Sequence, residues 1–198
     1  MIAWKHMRMT HERFGATGLF VLKFNVDFMR TVERAMDQAR IQLLQRMPIF
    51  GGISTVILEF LLTLCPVVVV SANEFFFQEH DEGDSLFVLE KGEAAVLKSW
   101  NGRHHLIQTL RAGDCFGEMA VIDHGHRSAS VRATEDCTAI RIASADLYRV
   151  YGQDLKQFTL IQMNMGREVC RRLRDANNRL FSAQMGTPSA GIGSVFLA

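Results

Sequence analysis

The 198-residue chain lacks an excess of charge of either sign: 22 Lys and Arg stand against 21 Asp and Glu, for a formal net charge of +1. Global attraction to a polyanion such as bulk nucleic acid is thereby excluded as a driving feature. Cysteine is scarce. Cys65, Cys115, Cys137 and Cys170 are widely spaced and form no CxxC pair. That excludes a disulfide framework and points to free thiols, mostly buried, in a reducing, cytoplasmic setting. The first 23 residues mix Lys5, His6, Arg8, His11, Glu12 and Arg13 with short apolar pieces, so the unbroken core of a secretion signal is missing. Long hydrophobic runs are nearly absent too. The one candidate, Ile49 to Val70, has Glu59 as its only charge. Pro66 interrupts it, Gly51-Gly52 and Ser54-Thr55 weaken its start, and Val67 to Val70 is β-branched. It reads as a buried helix followed by a buried strand, with no membrane insertion. No repeat of solenoid period is present. No Ser/His/Asp or Cys/His signature and no glycine-rich triphosphate loop appear, so no catalytic residue is assigned and the chain is not expected to be an enzyme.

What is present has a clear rhythm. Asn25 or Asp27 can cap a helix carrying Phe28, Val32, Ala35, Met36, Ala39, Leu43 and Leu44 at helical spacing, ending near Met47-Pro48. Ser54 can cap a second short helix with Val56, Ile57, Phe60, Leu61 and Leu64. After Pro66, short runs rich in Val, Phe, Leu and Thr alternate with turn signals. The spacing predicts strands at 67–70, 74–78, 85–90, 93–98, 104–110, 129–134 and 137–142, with Asn101-Gly102 as the plainest hairpin turn. Ser144 can cap a return to helix. From Asp154 to Phe181 one long amphipathic helix is predicted, with Phe158, Met165, Val169, Leu173, Ala176 and Leu180 on its apolar stripe. Arg167, Arg171, Arg172, Arg174 and Arg179 are read onto its other faces.

The chemistry concentrates in Phe116-Gly117-Glu118-Met119-Ala120 and, nine residues after the carboxylate, Arg127-Ser128-Ala129-Ser130-Val131. Arginine offers a planar fork of donors matched to phosphate oxygens, and a carboxylate accepts from a hydroxyl. One of each, among glycine and small residues, describes a pocket for a sugar phosphate. The competing reading makes Glu118 and Arg127 an ordinary ion pair.

Together with Asp81-Glu82-Gly83-Asp84-Ser85-Leu86-Phe87 and Gly113-Asp114-Cys115, these motifs resemble the cyclic-nucleotide-binding domain family of catabolite activators and kinase regulatory subunits, over about Leu44 to Leu180. The resemblance implies a mainly β fold, an antiparallel jelly-roll-like β-roll with N-terminal helices and a long C-terminal helix. It implies a regulatory sensor for cyclic AMP or cyclic GMP, a ligand and not a cofactor, with no metal. Its site residues would be Phe116, Gly117, Glu118, Met119, Ala120, Arg127, Ser128 and Ala129. Glu118 would accept from the ribose 2′-hydroxyl, Arg127 would pair with the phosphate, and Ser128 and Ala129 would add hydroxyl and backbone contacts. Base contacts would come from the later helix, where Gln162, Asn164 or Arg167 are the candidates. His126 stands where many relatives have proline, and Met119 where leucine is common.

The expected organisation is an N-terminal arm and helix over 1–46, the roll with its leading helix over 47–143, helices over 144–184, and a disordered tail over 185–198. Only 17 residues follow Phe181, too few for a helix-turn-helix module, so direct DNA binding is not expected. The apolar stripe favours partial exposure and a homodimer through the C-terminal helix, with an unidentified effector downstream. The alternative is a non-catalytic interaction module that keeps the fold without nucleotide binding. A cupin-like metalloenzyme is disfavoured, because His124-Gly125-His126 has no carboxylate about four residues on.

Overall fold

The computed structural model describes residues 26–185, with side chains from residue 35 onward. The chain falls into two units, residues 1–34 and 35–198, and in the first only the helical backbone from Val26 is described. The arm expected over residues 1–24 and the tail expected from Gly186 lie outside the described residues.

Helix α1 runs Val26–Gln45. Its last turns bury Ile41 and Leu44, whereas Ala35, Met36 and Ala39, read onto the same stripe, are exposed. Burial starts where Arg40 Nε donates to Glu90 at 2.8 Å, so only the end of the helix meets the core. A 3-10 turn, Pro48–Phe50, buries Ile49 and Phe50. Helix α2, Thr55–Leu64, is capped by Ser54, whose hydroxyl accepts from the Ile57 N–H at 3.4 Å. The apolar run from Ile49 is thus a turn, a ten-residue helix and a strand, and among the described residues no helix is long and apolar enough to cross a membrane.

Eight strands follow: β1 Val67–Val70, β2 Phe75–Phe77, β3 Ser85–Lys91, β4 Glu93–Trp100, β5 Arg103–Arg111, β6 Cys115–Phe116, β7 Ser130–Ala133 and β8 Cys137–Ala143. They form two antiparallel four-stranded sheets, β1-β8-β3-β6 and β2-β7-β4-β5. The architecture is the expected β-roll. Strand β3 shows why its sequence is apolar throughout: Leu86 and Val88 face a helix-lined core, while Phe87 and Leu89 face the interior between the sheets. A strand covered on both sides loses polar alternation. Strand β6, two residues long, is absent from the predicted set, because so short a segment has no periodicity to read.

Helix α3, Glu118–Asp123, follows β6 directly. Helix α4 is Ser144–Gln153. Its cap corrects the expectation. Ala143 holds the cap position and its N–H donates to Asp146 at 3.1 Å, while the Ser144 hydroxyl donates to the Asp84 carbonyl at 3.0 Å. A carboxylate in the first turn meets the positive end of the helix better than a neutral hydroxyl does. Helix α5, Leu155–Gln184, begins at Asp154, which accepts from the Lys156 and Gln157 N–H groups. Its buried positions are Ile161, Asn164, Met165 and Glu168, with Ser182 near its end, while Leu173 and Leu180 of the expected stripe are exposed.

Candidate functional site

The three motifs of the sequence meet at one point. Gly117 lies between β6 and α3 with φ +80°, a conformation that L side chains rarely adopt. A Cβ there would sit 2.7 Å from Arg127 Nη1. Gly83, in the turn before β3, has no room either: a Cβ would come 2.4 Å from Ala120 Cβ and 3.0 Å from Arg127 Nε. Each glycine therefore leaves space for the same guanidinium.

Arg127 is 5% exposed. Its Nη1 donates to the Gly117 carbonyl at 2.8 Å, and Nη2 reaches the Ser85 hydroxyl at 3.5 Å. The guanidinium carbon lies 4.1 Å from the centre of the Phe77 ring. Phe77 belongs to a cluster with Phe76, Phe87 and Phe116, whose rings lie 5.0 to 6.1 Å apart. Nε has no hydrogen-bond partner and the side chain makes no ion pair among the described residues. Burial lowers the pKa of this guanidinium, opposed by the more distant charge of Asp84.

Glu118 is 2% exposed and does not pair with Arg127. Its partner is Arg172 of α5, whose Nη1 donates to Glu118 Oε1 at 2.9 Å. Arg172 also donates to Glu168 Oε1 at 3.0 Å and to the Cys115 carbonyl at 2.7 Å. Burial raises the Glu118 pKa, and the charge of Arg172 pulls it part of the way back. Glu168 is held below the usual carboxylate range: burial pushes it up, but hydrogen bonds from Arg171 and Arg172 outweigh that.

All eight residues singled out in the sequence line one cavity of about 120 Å³: Phe116, Gly117, Glu118, Met119, Ala120, Arg127, Ser128 and Ala129. Phe77 and Val131 complete its inner wall, Val96, Gln108 and Leu110 come from β4 and β5, and Arg172 closes it from α5. The Ser128 hydroxyl lies 3.6 Å from the Met119 sulfur.

Helix α5 differs from the sequence expectation at three positions. Arg172, expected off the apolar stripe, points at Glu118. Asn164 and Arg167, candidates for the base but more readily solvated helix residues, are engaged within the protein: Asn164 Nδ2 donates to the Ile49 and Gly51 carbonyls, and Arg167 donates to Asn164 Oδ1. They clamp the 3-10 turn to the helix, and neither they nor Gln162 line the cavity.

His124 and His126 lie in a separate open cleft with Glu82 and Asp84, and among the described residues no group of three or more His, Cys, Asp or Glu is placed to hold a metal. Burial, followed by the charge of Asp146, pushes the Cys65 thiol up to about 12, and burial raises Cys115 as well, which makes both poor nucleophiles.

The family model of the cyclic nucleotide-binding domain matches residues 67–154, from β1 through the end of α4. This segment belongs to the cyclic nucleotide-binding domain family. A cyclic AMP receptor protein of Thermus thermophilus is 25% identical over 67% of this chain and 60% of its own length. Human cGMP-dependent protein kinase 2 is 26% identical over 77% of this chain but only 20% of its own. The chain spans between about a fifth and three fifths of the length of the curated relatives it matches. A solved cyclic nucleotide-binding domain from Methylobacillus flagellatus superposes with a TM-score of 0.67 at 22% identity, covering 80% of this chain and 88% of that one, and so shares the fold. The cyclic nucleotide-binding domain thus contributes every wall of the cavity except Arg172, which lies beyond the matched segment.

Proposed function

We propose that this domain is a non-catalytic, cytoplasmic sensor that binds cyclic AMP or cyclic GMP in the cavity between α3 and Arg127. The observation that carries the reading is the state of Arg127: a buried cation without a counter-ion, at the wall of a cavity. An uncompensated buried charge costs several kcal/mol, and a monoanionic cyclic phosphate supplies the missing partner. Glu118 keeps acceptor capacity for a ribose hydroxyl, since only Oε1 takes the hydrogen bond from Arg172. Ser128 and Ala129 line the same space, and their hydroxyl and backbone groups would add contacts to the phosphate.

The relay follows from the contacts of Arg172. It joins α5 to Glu118 and to the Cys115 carbonyl, so a ligand that moves Glu118 changes what α5 holds. Ligand shifts α5 only by its differential affinity for the two arrangements. The exposed apolar residues of α5 are the surface through which a homodimer or an effector reads that shift.

Isothermal titration with both nucleotides tests the proposal. Binding by the parent and a loss of at least about 100-fold for Arg127→Ala are expected, since a buried charge-assisted contact is removed. Absence of heat and of thermal stabilisation with either nucleotide would sink the sensor and leave an interaction module that keeps the fold.

A further inference from the structure

Lys98 and Glu79 lie outside the cavity walls, yet they hold the segment that carries Arg127. Between the bridge residue His126 and the start of β7 at Ser130, the chain belongs to no strand. Its two ends are tied through main-chain groups. The Arg127 N–H donates to the Asp81 carbonyl at 2.8 Å, and the Arg127 carbonyl accepts from the His80 N–H at 2.9 Å. At the other end, the buried Ser130 hydroxyl accepts from the Glu79 N–H at 2.8 Å. Between these points a side chain takes over: Lys98 Nζ, on β4, donates to the Ser128 carbonyl at 2.8 Å.

The ammonium is itself fixed. It pairs with the carboxylate of Glu79, whose side chain is 7% exposed and also accepts from the Ser99 N–H at 3.0 Å. The hydrogen bond from Lys98 and that from Ser99 hold the Glu79 carboxyl below the usual range, so the carboxylate stays charged at neutral pH. A pair with one nearly enclosed member has a defined geometry, unlike a freely solvated surface bridge.

We propose that Lys98 is a positioning residue of the nucleotide site, setting the Ser128–Ala129 backbone opposite α3 so that a phosphate meets a segment already in place. This rests on the sensor reading above. Lys98 acts through Ser128, since its ammonium is occupied by a carbonyl and a carboxylate and it forms no part of the cavity wall. A segment ordered before the ligand arrives spares the ordering cost at binding.

The test uses the full chain as parent, Lys98→Met and Lys98→Arg. Titration with cyclic AMP and cyclic GMP is joined to amide hydrogen exchange of the ligand-free proteins. Lys98→Met should bind about five- to tenfold more weakly, the value of one lost hydrogen bond, and should melt somewhat lower because Glu79 loses its partner, whereas Lys98→Arg recovers both. Lys98→Arg, which keeps charge and donor, should return to within about twofold of the parent. Exchange in Lys98→Met should quicken at Ser128 and Ala129 and not at Val131 to Ala133. Equal affinity of Lys98→Met and parent, or failure of Lys98→Arg to recover, overturns the positioning role. If the parent binds neither nucleotide, the sensor reading falls, and exchange alone decides: no change at Ser128 and Ala129 then overturns the tether as well.

Discussion

At Arg127 the guanidinium is held over Phe77 with one short hydrogen bond, to Gly117, and no carboxylate. Removing the charge while keeping the volume should relieve the ligand-free protein. Arg127→Met is expected to raise the melting temperature without nucleotide, by about 1 to 3 kcal/mol of stability, and to abolish nucleotide binding. Thermal melts with and without ligand check both halves, and a destabilised, non-binding variant would mean that the cation is needed for folding. Glu118 carries the complementary prediction. Its carboxyl is raised by burial, so between the ordinary carboxylate value and its raised value the folded state holds a proton that the unfolded chain has released. Stability from this group therefore falls as pH rises through that window. Nucleotide affinity moves the other way, because Glu118 accepts better as the anion. Glu79 and Glu168, whose carboxyls are held low, lose their contributions below the ordinary carboxylate range, a separate window. Melts and titrations from about pH 4 to 7 on parent and Glu118→Gln should show both slopes in the parent and neither in the variant.

Among the elements, β5 offers a test of what discriminates the base. Its pairing with β4 slips by one residue between Val96 opposite Gln108 and Leu97 opposite Leu106, a bulge beside the cavity. Such irregularities re-aim a side chain. Gln108 stands on the cavity wall with Leu110, and its carboxamide has no hydrogen-bond partner among the described residues. Gln108→Leu should change the ratio of cyclic AMP to cyclic GMP affinity by about threefold or more, while Arg127→Ala lowers both alike. A variant with an unchanged ratio in competition titrations removes Gln108 from base recognition. Seven of the eight strands were legible because each is a short apolar run bounded by Gly, Asn or Asp turns, and β6 was not because two residues carry no pattern. The cavity motifs were legible as local strings around Gly117 and Arg127. Arg172 was not: a charged residue on a long helix reads as solvent-facing, and its partner lies 54 positions earlier. The same long separation hid Asn164, whose carboxamide serves a turn more than a hundred residues before it.

Over the molecule as a whole, the decisive surface is the far half of α5. Up to Glu168 the helix buries Ile161 and Met165 in the helix-lined core and ties Asn164 to the 3-10 turn, and at Arg172 it closes the cavity. Beyond that, Leu173, Leu180, Phe181 and Met185 are exposed, with Leu173 and Leu180 seven residues apart on one face. A helix of 30 residues spans roughly 45 Å, and an exposed apolar stripe at this spacing along its far half suits a second helix of the same kind. Concentration-dependent dimerisation is therefore expected in sedimentation equilibrium. Leu173→Glu combined with Leu180→Glu should give a monomer, because each places a charge in the seam. The monomer should still bind nucleotide within about twofold of the parent, since Glu118, Arg127 and Arg172 all come from one chain and the seam supplies none of them. What the monomer should lose is any ligand dependence of association. By linkage, a nucleotide that tightens the dimer must bind the dimer more tightly by the same factor. A parent that stays monomeric throughout would assign the stripe to an effector. A double variant that loses nucleotide binding would place a partner residue in the site, against the single-chain cavity described above.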